Sequence, residues 1–296
     1  MDLLTRAVRV NLRVFLPLLK KGTIASARDM QQNMGEIIAR VRKRETEWFE
    51  PFDLPNCQAC WVQPKSAPRN GVIMYLHGGG YVAGDLNYAM SFGSVLAAEA
   101  RRRVICTDYR LAPEHPFSAA LDDAVSTYKY LLDEGYDSRE IVVVGESAGG
   151  GLVFSLVLRL RELDLPLPAG IVPISPWVDL TMSGESHVKN RDVDISLTPA
   201  MMELYADAYA GDDRKNPIIS SLFADLTGLP PCWMYVGGDE MLLSDSVNMA
   251  ILLHSYGVPC RLHVEPKMWH SYVLYGVRPA QRAVAEISKF IEDVTI

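Results

Sequence analysis

The sequence predicts an α/β domain with a mostly parallel central sheet flanked by helices, preceded by an N-terminal helical cap. Three observations lead there. Short β-branched and aromatic runs alternate with amphipathic helical stretches through most of residues 71–296. One of those strands runs directly into Gly145-Glu146-Ser147-Ala148-Gly149, followed by an apolar stretch too long to be another strand. Ahead of residue 48 the periodicity is helical only, so that segment stands outside the strand–helix alternation. The expected division is a cap over residues 1–47 and an α/β domain over 48–296, with 180–228 adding further cap or excursion elements.

Bulk composition narrows the partners. Of 296 residues, 49% are apolar and 22% charged, an ordinary globular balance with enough apolar mass for a large core. A net charge of −7 argues against nucleic acid or an anionic membrane as the main partner. Near the N-terminus, Arg6, Arg9 and Arg13 precede a short apolar run at 14–19 and then Lys20 and Lys21. That run is too short for a signal peptide and lacks a small-residue cleavage site. No other stretch approaches a membrane span, and a cytoplasmic protein is expected.

In chain order, a first helix carries Leu3, Leu4, Ala7, Val8, Val10 and Leu12, with Pro17 as an interruption. A second, over 26–43, spaces Met30, Met34, Ile37, Ile38 and Val41 along one side. Such a Met-rich pair suits a lid over an apolar pocket as well as plain core packing. Strands are expected at 56–63, read as an edge strand, and at 71–76, separated by a proline-marked turn. The five cysteines are an odd set, and Cys57 and Cys60, three apart on a strand, would face opposite ways. Free thiols are therefore expected, with thiol-redox chemistry at that pair the weaker alternative.

The strand at 71–76 ends in His77-Gly78-Gly79-Gly80, where glycines let backbone amides approach a ligand. A phosphate cradle is the rival reading, but neither G-x-G-x-x-G nor a G-K-[ST] ending is present. Further on come a helix at 88–101, a strand at 103–107, a loop fixed by Pro113 and Pro116, and a helix at 118–132. The strand at 141–144 and helix at 152–160 bracket Ser147. A strand at 169–174 leads to Ser175-Pro176-Trp177-Val178-Asp179. After the irregular 180–228, which holds a helix at 198–209, the pattern resumes with strand 231–236, helix 242–256, strand 261–265 and helix 279–293.

A serine lifted clear of the sheet by a tight strand-to-helix turn is placed to act as a nucleophile, but its hydroxyl needs a base and the base an orienting acid. On an α/β-hydrolase fold these follow the serine in the order acid, then histidine. Order excludes His77 and His115. His187 precedes every plausible acid, His254 sits mid-helix and His263 lies in a strand, which leaves His270 in a loop before the last helix. For the acid, Asp239 and Glu240 both leave a strand end and spacing does not choose between them. Asp245 reads as an exposed or capping residue of the next helix. The Ala148 N–H and the glycine loop are the natural oxyanion donors.

Taken together, His77-Gly78-Gly79-Gly80, Tyr109-Arg-Leu-Ala-Pro-Glu-His-Pro-Phe-Ser-Ala-Ala120, Gly145-Glu146-Ser147-Ala148-Gly149-Gly150 and Ser175-Pro176-Trp177-Val178-Asp179 resemble the hormone-sensitive-lipase-like carboxylesterases (bacterial family IV). The resemblance covers about residues 50–296, and the first fifty fit that family's N-terminal cap. It implies an α/β-hydrolase core and hydrolysis of short- to medium-chain carboxylic esters without cofactor or metal. It also implies oxyanion donors at Gly79 and Gly80 with Ala148, Gly78 being the alternative. Two departures stand out. Glu146 occupies a position where the family usually has Asp or Thr. The acid motif, usually G-x-x-D-P-L, reads Gly237-Gly238-Asp239-Glu240-Met241-Leu242 and aligns Glu240 with the catalytic acid.

The expectation is a serine carboxylesterase with Ser147, Glu240 and His270 as its triad, acting on a small-molecule ester beside Phe117, Trp177 and Trp269. Deacetylation of a sugar or amide would use the same machinery. A non-catalytic small-molecule binder on this fold is the rival from another class. If the strand at 261–265 ends the sheet, its free edge and the resemblance suggest a homodimer.

Overall fold

Val142, Val143 and Val144 are fully buried at the middle of a nine-stranded sheet, as a continuous β-branched run predicts. The structure, a computed structural model, describes residues 2–19, 23–42 and 46–296. Two helices, α1 (Leu3–Leu19) and α2 (Ile24–Arg42), come first. Strands β1 (Thr46–Trp48), β2 (Phe52–Asp53), β3 (Gln58–Pro64) and β4 (Val72–Leu76) follow. The alternation then runs α3 (Leu86–Ala100), β5 (Arg103–Asp108), α4 (Ala119–Asp133), β6 (Ile141–Glu146), α5 (Ala148–Glu162) and β7 (Gly170–Ile174). After the short α6 (Ser186–Lys189) and α7 (Pro199–Ala210), the chain closes with β8 (Cys232–Gly237), α8 (Leu243–Ser255), β9 (Cys260–Glu265) and α9 (Arg278–Val294).

The strand order is β1-β3-β5-β4-β6-β7-β8-β9, with β2 also pairing with β3. From β5 to β9 every neighbouring pair is parallel, whereas β3 runs antiparallel to β5 and to β1. Side chains alternate between two apolar layers, as the two-residue strand period requires. Val72, Met74 and Leu76 of β4 face a layer completed by α4, α5, α7 and α8. Ile73 and Tyr75 face the layer under α3 and α9. Full burial of each such aliphatic side chain is worth about 2 kcal/mol, so the strand set alone is a large stabilising term.

This topology places the site. The chain leaves β4, forms β5 on one side, then returns to form β6 on the other side of β4, so the carboxyl ends of β4 and β6 open next to each other. Leu76 pairs with Gly145, which brings the His77 loop alongside Ser147. The carboxyl ends of β7 and β8 follow in the same direction.

The α/β architecture is as expected, with several local differences. Helix α1 continues through Pro17 to Leu19 rather than breaking there. Proline lacks the N–H that would bond the carbonyl four residues earlier, but only Leu18 and Leu19 follow it, so that one bond is lost at the end of the helix and not in its middle. Strand β3 is not an edge strand, because β1 and β2 cover its outer side. Their short runs were not legible as strands. The five cysteines are free thiols, and Cys57 precedes β3. Lys20 and Lys21 lie outside the described residues, as do the side chains of Met34, Ile37, Ile38 and Val41. Strand β9 is a sheet edge.

Candidate active site

Ser147 sits between β6 and α5 with φ 57° and ψ −121°, a strained conformation for a residue bearing a side chain. It is held there by its neighbours. Its N–H donates to the Ile174 carbonyl at 2.9 Å, and its own carbonyl accepts from Gly151 and Trp177 N–H, each at 3.0 Å. The turn is tight enough that a Cβ at position 149 would lie 2.1 Å from the Leu76 carbonyl oxygen, which explains the glycine. The result is a hydroxyl at the N-terminus of α5, on the positive end of the helix dipole.

His270 arrives from the loop after β9. Its Nε2 lies 2.8 Å from Ser147 Oγ and its Nδ1 lies 2.7 Å from Glu240 Oε2. Glu240, fully buried at the end of β8, also accepts at Oε1 from Ser175 Oγ at 2.8 Å and from Gly237 N–H at 2.5 Å. Ser175 Oγ in turn accepts from Ser271 N–H at 3.0 Å, tying the acid to the histidine loop. Burial of the imidazole opposes its protonation. The hydrogen bond and charge of Glu240, helped by Asp194 and Glu146, outweigh that, so the His270 pKa is raised above the ordinary histidine value.

Asp239 goes elsewhere. Its carboxylate is 2.5 Å from the Arg9 guanidinium of α1, and Arg9 also donates to the Lys267 carbonyl. Asp245, expected to be exposed or capping, is instead buried. It accepts from Val178 and Asp179 N–H, each at 3.1 Å, and lies 2.8 Å from His187 Nε2. The 180–196 excursion folds down onto α8 and encloses it, a tertiary contact that helix periodicity does not reveal.

The glycine loop is held on several sides. Tyr109 Oη donates to the His77 carbonyl at 2.6 Å, and its ring stacks on the His77 imidazole at 4.2 Å. Gly78 N–H donates to Glu146 Oε1 at 2.5 Å. The Gly78 carbonyl accepts from His77 Nδ1 at 2.7 Å and from Gln31 Nε2 at 2.9 Å. Val82 and Ala83 N–H both donate to the Gly79 carbonyl. At Gly80, φ is +64° and a Cβ would lie 2.4 Å from the Tyr205 ring. The N–H groups of Gly79 and Gly80 have no acceptor among the described residues.

Glu146 is wholly buried beside Ser147. It accepts from Tyr75 Oη at 2.5 Å and from Tyr88 Oη at 3.0 Å in addition to Gly78. Burial raises its pKa to about 7, even though those three hydrogen bonds favour the ionised form. Burial also keeps His77 neutral, with a pKa pushed down to about 4.

Ser147 and His270 open into a cleft of about 870 Å³, its mouth included. Met30 of α2 and Leu197, Met201 and Met202 from the 180–228 excursion and α7 supply much of its apolar wall, with Trp177 and Leu274. Of the three aromatics expected beside the substrate, only Trp177 lines the cleft. Phe117 packs edge-on against Tyr209 and Trp269 edge-on against Tyr275. Sequence reasoning did not single out Gln31, Tyr75, Tyr88 or Ser175 as supports of the site. Only Ser175, inside a quoted motif, carried a signal that could have found it.

Comparison with known proteins fits this geometry. The family model described as alpha/beta hydrolase fold matches residues 73–274. An acetyl-hydrolase of Streptomyces hygroscopicus is 37% identical over 236 residues, covering 79% of this chain and 78% of its own. An esterase of Acinetobacter venetianus is 33% identical over 228 residues, covering 76% and 75%. Among solved structures, an esterase of the bacterial hormone-sensitive lipase family superposes with TM-score 0.93 at 33% identity over 99% of each chain. A hormone-sensitive lipase from a metagenome library does so with TM-score 0.90 at 34% identity, again over 99% of each chain. No described helix is long and apolar enough to cross a membrane. By the family model and these relatives, the chain belongs to the alpha/beta hydrolase fold family, in its hormone-sensitive-lipase-like esterase branch.

Proposed function

We propose that the protein is a serine carboxylesterase acting on short- to medium-chain esters. The observation that carries this reading is the unbroken hydrogen-bond chain from Ser147 Oγ through His270 to Glu240 at the floor of an apolar cleft. Ser147 Oγ attacks the ester carbonyl carbon while its proton passes to His270 Nε2. Glu240 fixes the imidazole with its proton on Nδ1 and stabilises the imidazolium. The amides of Gly79, Gly80 and Ala148 receive the oxyanion, since Gly78 N–H is committed to Glu146. As the tetrahedral intermediate collapses, the ester C–O bond breaks and the alcohol leaves with the proton from His270. Water, activated by the same histidine, then adds to the acyl-enzyme and releases the carboxylic acid with free Ser147.

Helix α2 of the cap and the 180–228 excursion form the roof of the cleft in this reading, because Met30, Leu197 and Met201 wall it. The free edge of β9 is the surface through which a homodimer would form, measurable by light scattering of the purified chain. The test of the activity is hydrolysis of p-nitrophenyl esters from acetate to laurate. Turnover should be highest for acetate to hexanoate and fall toward laurate. Lack of turnover on every ester would move the non-catalytic binder to the front.

A further inference from the structure

We propose that Gln31, in the cap helix α2, is a positioning residue for the oxyanion-binding amides, holding the Gly78–Gly79 peptide so that Gly79 N–H faces the nucleophile. This deepens the esterase reading and rests on it. Three consecutive peptide groups make up the loop, and each is fixed by partners of its own. The His77–Gly78 group is held at its carbonyl by Tyr109 and at its N–H by Glu146. The Gly79–Gly80 group is held at its carbonyl by Val82 and Ala83. Between them, the Gly78–Gly79 group is held at its carbonyl by His77 Nδ1 and Gln31 Nε2.

In a trans peptide the C=O and the following N–H point in opposite directions. Drawing the Gly78 carbonyl toward Gln31 therefore fixes the direction of Gly79 N–H, which has no acceptor among the described residues and lies at the cleft lined by Gln31, Ser147 and His270. The amide type matters. A carbonyl only accepts, so the Gln31 NH₂ is the end that can serve it. A carboxylate here would oppose oxygen to oxygen, and an aliphatic side chain would leave the carbonyl to His77 Nδ1 alone.

Gln31 is delivered to a fixed depth. It is buried, and its Oε1 would lie 2.4 Å from a Cβ at position 79, so it packs on the glycine itself. One turn earlier, Arg28 clamps α2 to the far end of the same loop. It donates from Nε to the Val82 carbonyl at 2.8 Å and from its guanidinium to the Ala112 carbonyl at 3.1 Å, and it pairs with Glu114 at 2.6 Å. The cap thus reaches the chemical step as well as the walls of the cleft.

The experiment compares wild type, Gln31→Leu and Thr5→Ala for kcat and KM on p-nitrophenyl butyrate, inhibition by an alkyl trifluoromethyl ketone, and Tm. Losing one oxyanion donor outright costs about 10²–10³-fold, so a donor that is only misaimed should cost about 10- to 50-fold. Gln31→Leu is expected to lower kcat by that factor with KM within about threefold. The ketone, which occupies the oxyanion site as a hemiketal on Ser147, should weaken in proportion to kcat/KM. Thr5→Ala removes a buried hydroxyl of α1 that donates to Asp2 Oδ2 at 2.8 Å, touches neither the glycine loop nor Gln31, and should lower Tm with kcat within about threefold of wild type. Wild-type kcat in Gln31→Leu, or an equal kcat loss in Thr5→Ala, overturns the assignment while leaving the esterase reading intact. A wild type inert on every ester sinks both.

Discussion

Glu240 meets His270 at 2.7 Å, Oε2 to Nδ1, while the carboxylate next to it in sequence, Asp239, turns away to Arg9. The two residues leave the same strand end, but only the longer side chain enters the buried space beneath the imidazole. There Gly237 N–H and Ser175 Oγ hold its second oxygen. Asp239 stays part-exposed and fastens α1 to the loop.

Amide substitutions at the two positions should therefore differ sharply. Glu240→Gln is expected to lower kcat by about 10³–10⁴-fold, because the amide offers no charge to the imidazolium and does not secure the tautomer. Asp239→Asn should leave kcat within about threefold and cost at most about 1 kcal/mol, as an ion pair reachable by solvent does. Steady-state kinetics and urea unfolding of both variants check this.

The pH profile follows from the same contact. In the proposed mechanism His270 acts as a base only when neutral, and its pKa is raised above 6.5. The acid limb of kcat/KM should accordingly lie above that value in the wild type. In Glu240→Gln the supporting charge is gone while burial persists, so the residual activity should show an acid limb moved to lower pH. A limb unmoved by the substitution would contradict the geometry.

Glu146 predicts a pH effect of stability. Its folded pKa of about 7 is above the ordinary 4.5. The stability this group contributes is thus fully present below pH 4.5 and lost as pH rises through 7. The amount is on the order of 3 kcal/mol. Glu146→Gln keeps an acceptor for Gly78 N–H but never ionises, so its Tm relative to wild type should rise between pH 5 and 8. A constant difference across that range would rule out ionisation of a buried Glu146.

Asp245 organises the excursion. Replacing it with Leu strips the acceptor from Val178 N–H, Asp179 N–H and His187, and should cost about 3 kcal/mol or more in chemical denaturation. Asp245→Asn, which keeps one oxygen, should cost less.

Much of this was legible in the chain because it is local. The β-branched run before Ser147 and the apolar helix after it mark the turn, and the order serine, acid, histidine follows from the α/β-hydrolase fold that the alternation suggests. The choice of Glu240 over Asp239 came from alignment with a family motif rather than from spacing, since adjacent residues at a strand end differ only in where tertiary packing sends them. The burial of Asp245 and the reach of Gln31 to Gly78 were not legible. Each depends on an irregular or cap segment folding back across many residues, and neither leaves a period in the sequence. The missed strands β1 and β2, at three and two residues, are too short to show alternation.

The most direct test of the central claim is covalent labelling with a fluorophosphonate, read by intact mass and peptide mapping alongside residual esterase activity. The account predicts one label per chain, on Ser147, with activity lost in proportion to labelling and no label in Ser147→Ala. A folded protein that resists labelling, or that keeps its esterase activity once Ser147 is fully modified, would contradict it.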